Sequence, residues 1–305
     1  MTSLTIHAMQ ATTNVLYKSF GSIKRIGHRT LLFSTSDNAT NYHDLEKAIA
    51  TSQRATRDWV KVGDYEKALS SGEETLKKIV SHFGVKHPVH ASALNDLGLI
   101  HKCLGEFDTA ISTYEKALEV YEDALGTQEH ASYGTTLTNL GHVYRAQATA
   151  SKGLKSMEWI DNAWLAFKRA SEIRSKVLDR NHPDQAMSMV NLGTTSFHRG
   201  RTPEAIRYLR QAVVTLEENI GQDHLMTATS RNNLAFVLKC DKQYEEAIAL
   251  YQNVYEIRRN KLGPGHHETI TVMHNLSEAF RASGDEPSSV KLQSEILKIM
   301  QPTNV

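Results

Sequence analysis

Cysteine is nearly absent. Cys103 and Cys240 are the only two in 305 residues, and they occupy equivalent positions in repeat units with others between them. A disulfide needs Cα atoms within about 7 Å, so these two do not pair, and the composition fits a reducing compartment. Long apolar runs are missing too. Apolar residues make up 40% of the chain and charged ones 23%, and no stretch approaches the roughly 18 to 20 apolar residues of a membrane helix. An integral membrane segment is therefore not expected.

Catalytic signatures are also lacking. His266-His267-Glu268 does not have the His-Glu-x-x-His spacing of a zinc hydrolase. No glycine-rich phosphate loop and no Gly-x-Ser-x-Gly elbow occurs either. The expectation is a chain that is not an enzyme and holds no metal or cofactor.

Net charge is close to zero, at +1, yet its distribution is uneven. Residues 1–36 carry Lys18, Lys24, Arg25 and Arg29 and no acid at all. Removing those four from the 35 basic residues leaves 31 against 34 acidic ones, so the body is slightly negative. Such a body has no general attraction for nucleic acid, whose binding rests on neutralised phosphates.

The acid-free stretch has a pattern of its own. Leu16, Phe20, Ile23 and Ile26 follow one helical face, with Lys18, Arg25 and Arg29 opposite. A basic, amphipathic, Ser/Thr-rich N-terminus suits a mitochondrial presequence, and Arg29-Thr30-Leu31-Leu32-Phe33-Ser34 resembles a matrix-processing site. Residues 1–36 are read as an unstructured targeting leader and residues 302–305 as a tail. An unprocessed tail or a plastid address remains the alternative.

What the chain does have is a recurring triplet: Asp96-Leu97-Gly98, Asn139-Leu140-Gly141, Asn191-Leu192-Gly193, Asn233-Leu234-Ala235 and Asn275-Leu276-Ser277. The leucines lie 43, 52, 42 and 42 residues apart. Self-similarity at that period means stacked helical hairpins in place of one globular core. Thirteen residues after three of the leucines come Ala110, Ala205 and Ala247, small enough for two helices to approach. Tyr114, Phe167, Leu209 and Tyr251 fill the space between.

Gly105, Gly200 and Asp241-Lys242-Gln243 mark the hairpin turns. Between repeats the chain returns to a histidine, at His87, His130, His182, His224 and His266. Spread one per repeat, they cannot converge on a metal ion, and they read as helix caps. Six helix pairs result, at about residues 44–86, 87–129, 130–181, 182–223, 224–265 and 266–301. Gly72 and Gln293 stand at the large-residue position of the first and last pairs, as in degenerate capping repeats.

These triplets, the run Ala-Ile-Arg-Tyr-Leu-Arg-Gln-Ala at 205–212 and Glu172-Ile173-Arg174-Ser175-Lys176-Val177-Leu178 leading to His182-Pro183 resemble tetratricopeptide repeats of the 42-residue kinesin light chain-like subtype. The resemblance spans residues 44–301. It implies an all-α fold, a right-handed α–α superhelix of about six helix pairs, and a protein partner held as an extended peptide or helix, with oligomeric state left open. Residues before 44 contain no sustained heptads, which argues against a motor-bound light chain. Together with the leader, the likeness suggests an assembly or quality-control adaptor of mitochondria, in the matrix. A cytosolic cargo or signalling adaptor is the alternative.

In similar proteins the first helix of each pair lines a concave groove, and asparagines there hold peptide backbone. By position those are Asn139, Asn191, Asn233 and Asn275, with Asn232 adjacent, and His142 and Phe236 one turn on to supply specificity. The alternative is that the asparagines bond to the neighbouring helix and fix the stacking. Lys102, Arg145, Lys239 and Arg281 lie six residues after the triplet's first residue and flank the groove. Either they answer the helix macrodipole or they meet an acidic ligand. About ten extra residues within 146–162 should lengthen both helices of the third pair or form a loop. Trp159 there is a candidate contact, unless it packs the longer hairpin with Trp164.

Overall fold

The computed structural model describes residues 36–179 and 182–301, with side chains described from residue 44 onward. The targeting leader and the tail at 302–305 lie outside the described residues. Among the described residues are twelve helices and no strand. They fall in two compact units, one ending at Asp179 and the other beginning at Arg180.

The first unit holds α1 (Ser36–Lys61), α2 (Tyr65–Phe83), α3 (Pro88–Leu104), α4 (Phe107–Leu125), α5 (Ala131–Ala150) and α6 (Gly153–Val177). The second holds α7 (Pro183–His198), α8 (Thr202–Ile220), α9 (Leu225–Cys240), α10 (Tyr244–Leu262), α11 (His267–Ser283) and α12 (Glu286–Met300). Within each unit every helix packs on the next, and the odd-numbered helices also touch one another: α1 with α3, α3 with α5, α7 with α9 and α9 with α11. The first helices of the pairs therefore crowd the inner side of each stack.

The reason for the Leu-Gly pair is visible in the hairpins. A Cβ at Gly98 would come 2.8 Å from the Tyr114 ring, one at Gly141 2.7 Å from Phe167, and one at Gly193 2.7 Å from Leu209. The missing side chain on the first helix makes room for the large one on the second. Tyr114, Phe167, Leu209 and Tyr251 are all sealed in the core, each burial contributing roughly 1.5–3 kcal/mol. The first pair reverses the arrangement, because Gly72 takes the large position and its α-carbon faces Leu97 of the following repeat.

The interrepeat histidines cap as expected. In each case Nδ1 accepts the N–H of the residue two further on: Val89, Ser132, Asp184, Met226 and Glu268, at 3.1 to 3.2 Å. Glycine in the left-handed region closes the first helix at Gly63, Gly105, Gly200 and Gly284, and Lys242 adopts the same conformation at the equivalent place, with φ 65°. The inserted residues lengthen both helices of the third pair: α5 has 20 residues and α6 has 25, where α7 has 16 and α8 has 19. No described helix is long and apolar enough to cross a membrane.

Candidate functional site

On the inner helices the triplet asparagines divide into two kinds. Asn139, 5% exposed, donates its amide to Asn95 Oδ1 at 3.0 Å, and Asn275 donates to Asn232 Oδ1 at 3.1 Å. These bonds tie the first helix of one repeat to the first helix of the repeat before it. The stacking reading holds for them. Asn191 is buried and its main-chain carbonyl accepts the Thr195 hydroxyl, while Asn233 is half-buried.

Asp96, the acid in the first of these positions, is also committed. Arg57 reaches it from α1 with a two-pronged bond at 2.9 to 3.1 Å. Burial pushes its carboxyl up, more than Arg57 pulls it down. If ionised, its charge is met inside the stack by Arg57. Arg57 leaves no local mark as its partner, because the two lie 39 residues apart and Arg57 precedes the first recognisable triplet.

The four flanking cations are not equivalent. Lys239 is bound to Glu278 at 2.7 Å and lies 5.4 Å from the Phe236 ring centre. Arg281 is exposed in the last turn of α11. Lys102 stands in the last turn of α3, where the macrodipole favours a cation. Arg145 does not. The insertion carries α5 on to Ala150, so Arg145 sits more than a turn before the helix end, out of reach of that effect.

Lys102 and Arg145 are half-buried, and neither has a carboxylate partner among the described residues. Burial pushes the Lys102 ammonium down, with Arg145 adding to the effect, and lowers the Arg145 guanidinium. His142, one turn before Arg145 on the same face, sets its ring edge-on to Phe167 at 5.1 Å. Burial first, then Arg145, Lys102 and Arg174, hold His142 well below the ordinary imidazole range. This face of the first unit is a basic, partly desolvated patch.

The second unit differs. Phe236 is 40% exposed and meets Phe197 edge-on at 5.6 Å. Phe197 stands six residues after Asn191, the place Lys102 and Arg145 hold in their repeats, and escaped notice because that column otherwise reads as basic. Trp159 is half-buried and stacks on Tyr144 at 5.6 Å, its Nε1 sealed without a hydrogen-bond partner. It packs the lengthened hairpin, and the exposed apolar groups of that segment are Leu154 and Met157. Among the described residues no cluster of His, Cys, Asp and Glu is suited to a metal ion.

A family model for the tetratricopeptide repeat matches residues 60–123, 91–150, 166–218 and 226–301. The chain belongs to the tetratricopeptide repeat family. Such repeats typically build non-enzymatic scaffolds for protein partners. Among solved structures, a candidate kinesin light chain of Podosopora anserina with nearly identical TPR-like repeats is similar at 21% identity and a TM-score of 0.60, over 72% of this chain and 98% of that one. BtubC (BKLC) of P. vanneervenii gives 18% identity and a TM-score of 0.60, over 84% and 90%.

Curated relatives include a clustered mitochondria protein homolog of Coccidioides immitis, 25% identical over 196 residues. That of Aspergillus niger is 24% identical over 123 residues. The match covers 64% of this chain with the first and 40% with the second. The chain spans only 14% and 10% of their own lengths.

Proposed function

We propose that this tetratricopeptide protein is a scaffold that grips an extended acidic segment of another protein along its inner helices, in association with mitochondria. One observation carries the reading: Arg145 is partly desolvated, lies too far from its helix end to answer the dipole, and has no carboxylate partner among the described residues. A cation held in that state costs stability, and a carboxylate from outside recovers the cost. Lys102 on the preceding inner helix gives the ligand a second charge to meet. In the second unit, with Asn275 bonded to Asn232, Asn191 and Asn233 are the remaining triplet amides, and Phe236 with Phe197 offers that unit an aromatic contact.

The mitochondrial part rests on the names of the curated relatives and on the basic, acid-free leader. Import into the matrix is the reading of the leader alone. Fusing residues 1–40 to a fluorescent reporter separates it from a cytosolic adaptor: the reporter enters mitochondria in the first case and stays diffuse in the second.

The binding reading is tested with the full chain on an array of acidic and scrambled-charge peptides. Lys102→Ala with Arg145→Ala should lose the acidic peptides and melt at the same or a higher temperature, since an uncompensated cationic patch has been removed. Unchanged binding, or a lower melting temperature, counts against it.

A further inference from the structure

The last hairpin leaves open a face that the hairpin before it has covered. On α10, Tyr251 is sealed, Ile248 and Tyr255 are half-buried against the cluster that holds Val272, Met273 and Leu276 of α11, and Arg258 donates to the Glu268 carbonyl. One 42-residue repeat later the same positions of α12 are Val290, Gln293, Leu297 and Met300. Val290 is 54% exposed, Leu297 62% and Met300 61%. At spacings of three, four and three they form one stripe along the helix. The four residues at 302–305 are too few to span it.

The first hairpin is finished differently. α3 meets the hairpin before it with Leu97 and Ile100, which face the α-carbon of Gly72. The equivalent residues of α1 are Ala55 and Asp58, both exposed, with Asp58 bound to Lys61 at 2.6 Å. That is the polar outer face of a capping repeat, and α12 lacks one. An uncovered apolar stripe marks a contact surface, and the polar face of α1 does not match it.

We propose that α12 is a self-association surface, on which two copies of the chain pack their stripes antiparallel across a two-fold axis between Gln293 and Ser294. In that register Val290 lies opposite Leu297 of the second copy, Gln293 opposite Ser294, and Met300 opposite Pro287. Apolar meets apolar and polar meets polar. Glu286, the charge at the start of the stripe, falls opposite Gln301 and not another acid. Such a contact is isologous and closes at two copies, whereas docking α12 on α1 of the next copy would grow an open filament. One helix face is smaller than the roughly 800 Å² per partner of a stable complex, so the dimer is weak and forms as concentration rises. It is independent of the peptide reading, since each copy keeps its own inner helices.

The test uses the full chain in sedimentation velocity across a concentration series. The mass should move from that of one chain toward that of two, and Val290→Glu with Leu297→Glu should hold it at one. Both side chains are exposed, so helical content and melting of the dilute variant should match wild type. A photo-crosslinking benzoylphenylalanine placed at Gln293 names the occupant without relying on that variant. A covalent dimer linked through residues 290–300 of the second copy is the expected product. A single chain at every concentration, or self-association that survives Val290→Glu with Leu297→Glu, overturns the proposal. So does a cross-link within one chain to residues 1–35, which gives the stripe to the leader, or one formed in cell extract to another protein and never to a second copy.

Discussion

Asn139 donates its side-chain amide to Asn95 Oδ1 across 3.0 Å, joining α5 to α3 one repeat earlier. Both residues are buried, so each is the other's substitute for water. Asn139→Ala strands a buried acceptor and should destabilise the first unit by about 1–3 kcal/mol. Asn95→Ala strands the donor at a similar cost. The double variant should lose clearly less than the sum of the two, because neither orphan remains. Urea denaturation of the four proteins checks it; additive losses would show that the bond contributes nothing to stacking.

Gly141 faces Phe167 at a distance that leaves no room for a methyl group. Gly141→Ala must push the ring or spread the hairpin, at about 1–3 kcal/mol. Pairing it with Phe167→Leu, which removes ring atoms from the contact, should recover part of that loss. A thermal melt in which Gly141→Ala is as stable as wild type would mean that the signature glycine serves something other than helix approach.

How far the sequence could be read depends on where the controlling contact lies. Helix existence, the hairpin turns and the large-over-small pairing of Tyr114 with Gly98 follow from local pattern, while the first helix begins at Ser36, eight residues ahead of the expected start of the array at 44. The role of Asn139 was open between two readings, because one amide can bond a peptide or a neighbouring helix and only the position of Asn95 decides. The cations illustrate the same limit. Lys102, Arg145 and Lys239 look identical along the chain, yet Lys239 finds Glu278, Lys102 ends its helix, and Arg145 is displaced from its helix end by an insertion that follows it. Partners 39 to 44 residues away leave no local trace.

Lys242 is the one described residue other than glycine with positive φ, at the turn where Gly63, Gly105, Gly200 and Gly284 occur in other repeats. A side chain in that conformation costs roughly 1–2 kcal/mol, and glycine removes the strain while adding freedom to the unfolded chain. Lys242→Gly should therefore stabilise the second unit by a net of about 0.5–1 kcal/mol. A rise in the urea midpoint measures it. Lys242→Ala, which keeps the Cβ, should give little of that gain, and equal gains from both would assign the effect to charge.

The caps at His87 and His130 make stability depend on pH in one direction. Each Nδ1 accepts an N–H and can do so only while that nitrogen is unprotonated. Burial lowers His87, with Glu46 partly opposing, and burial lowers His130. For a base lowered by folding, the contribution is complete above the unfolded value of about 6.5 and is lost as pH falls through the folded value. Glu129, beside His130, is bound to Lys176. Denaturation midpoints should fall between pH 7.5 and 5.5, and His130→Asn, which caps without titrating in that range, should show a smaller fall. An equal fall in His130→Asn would remove that cap from the acid response.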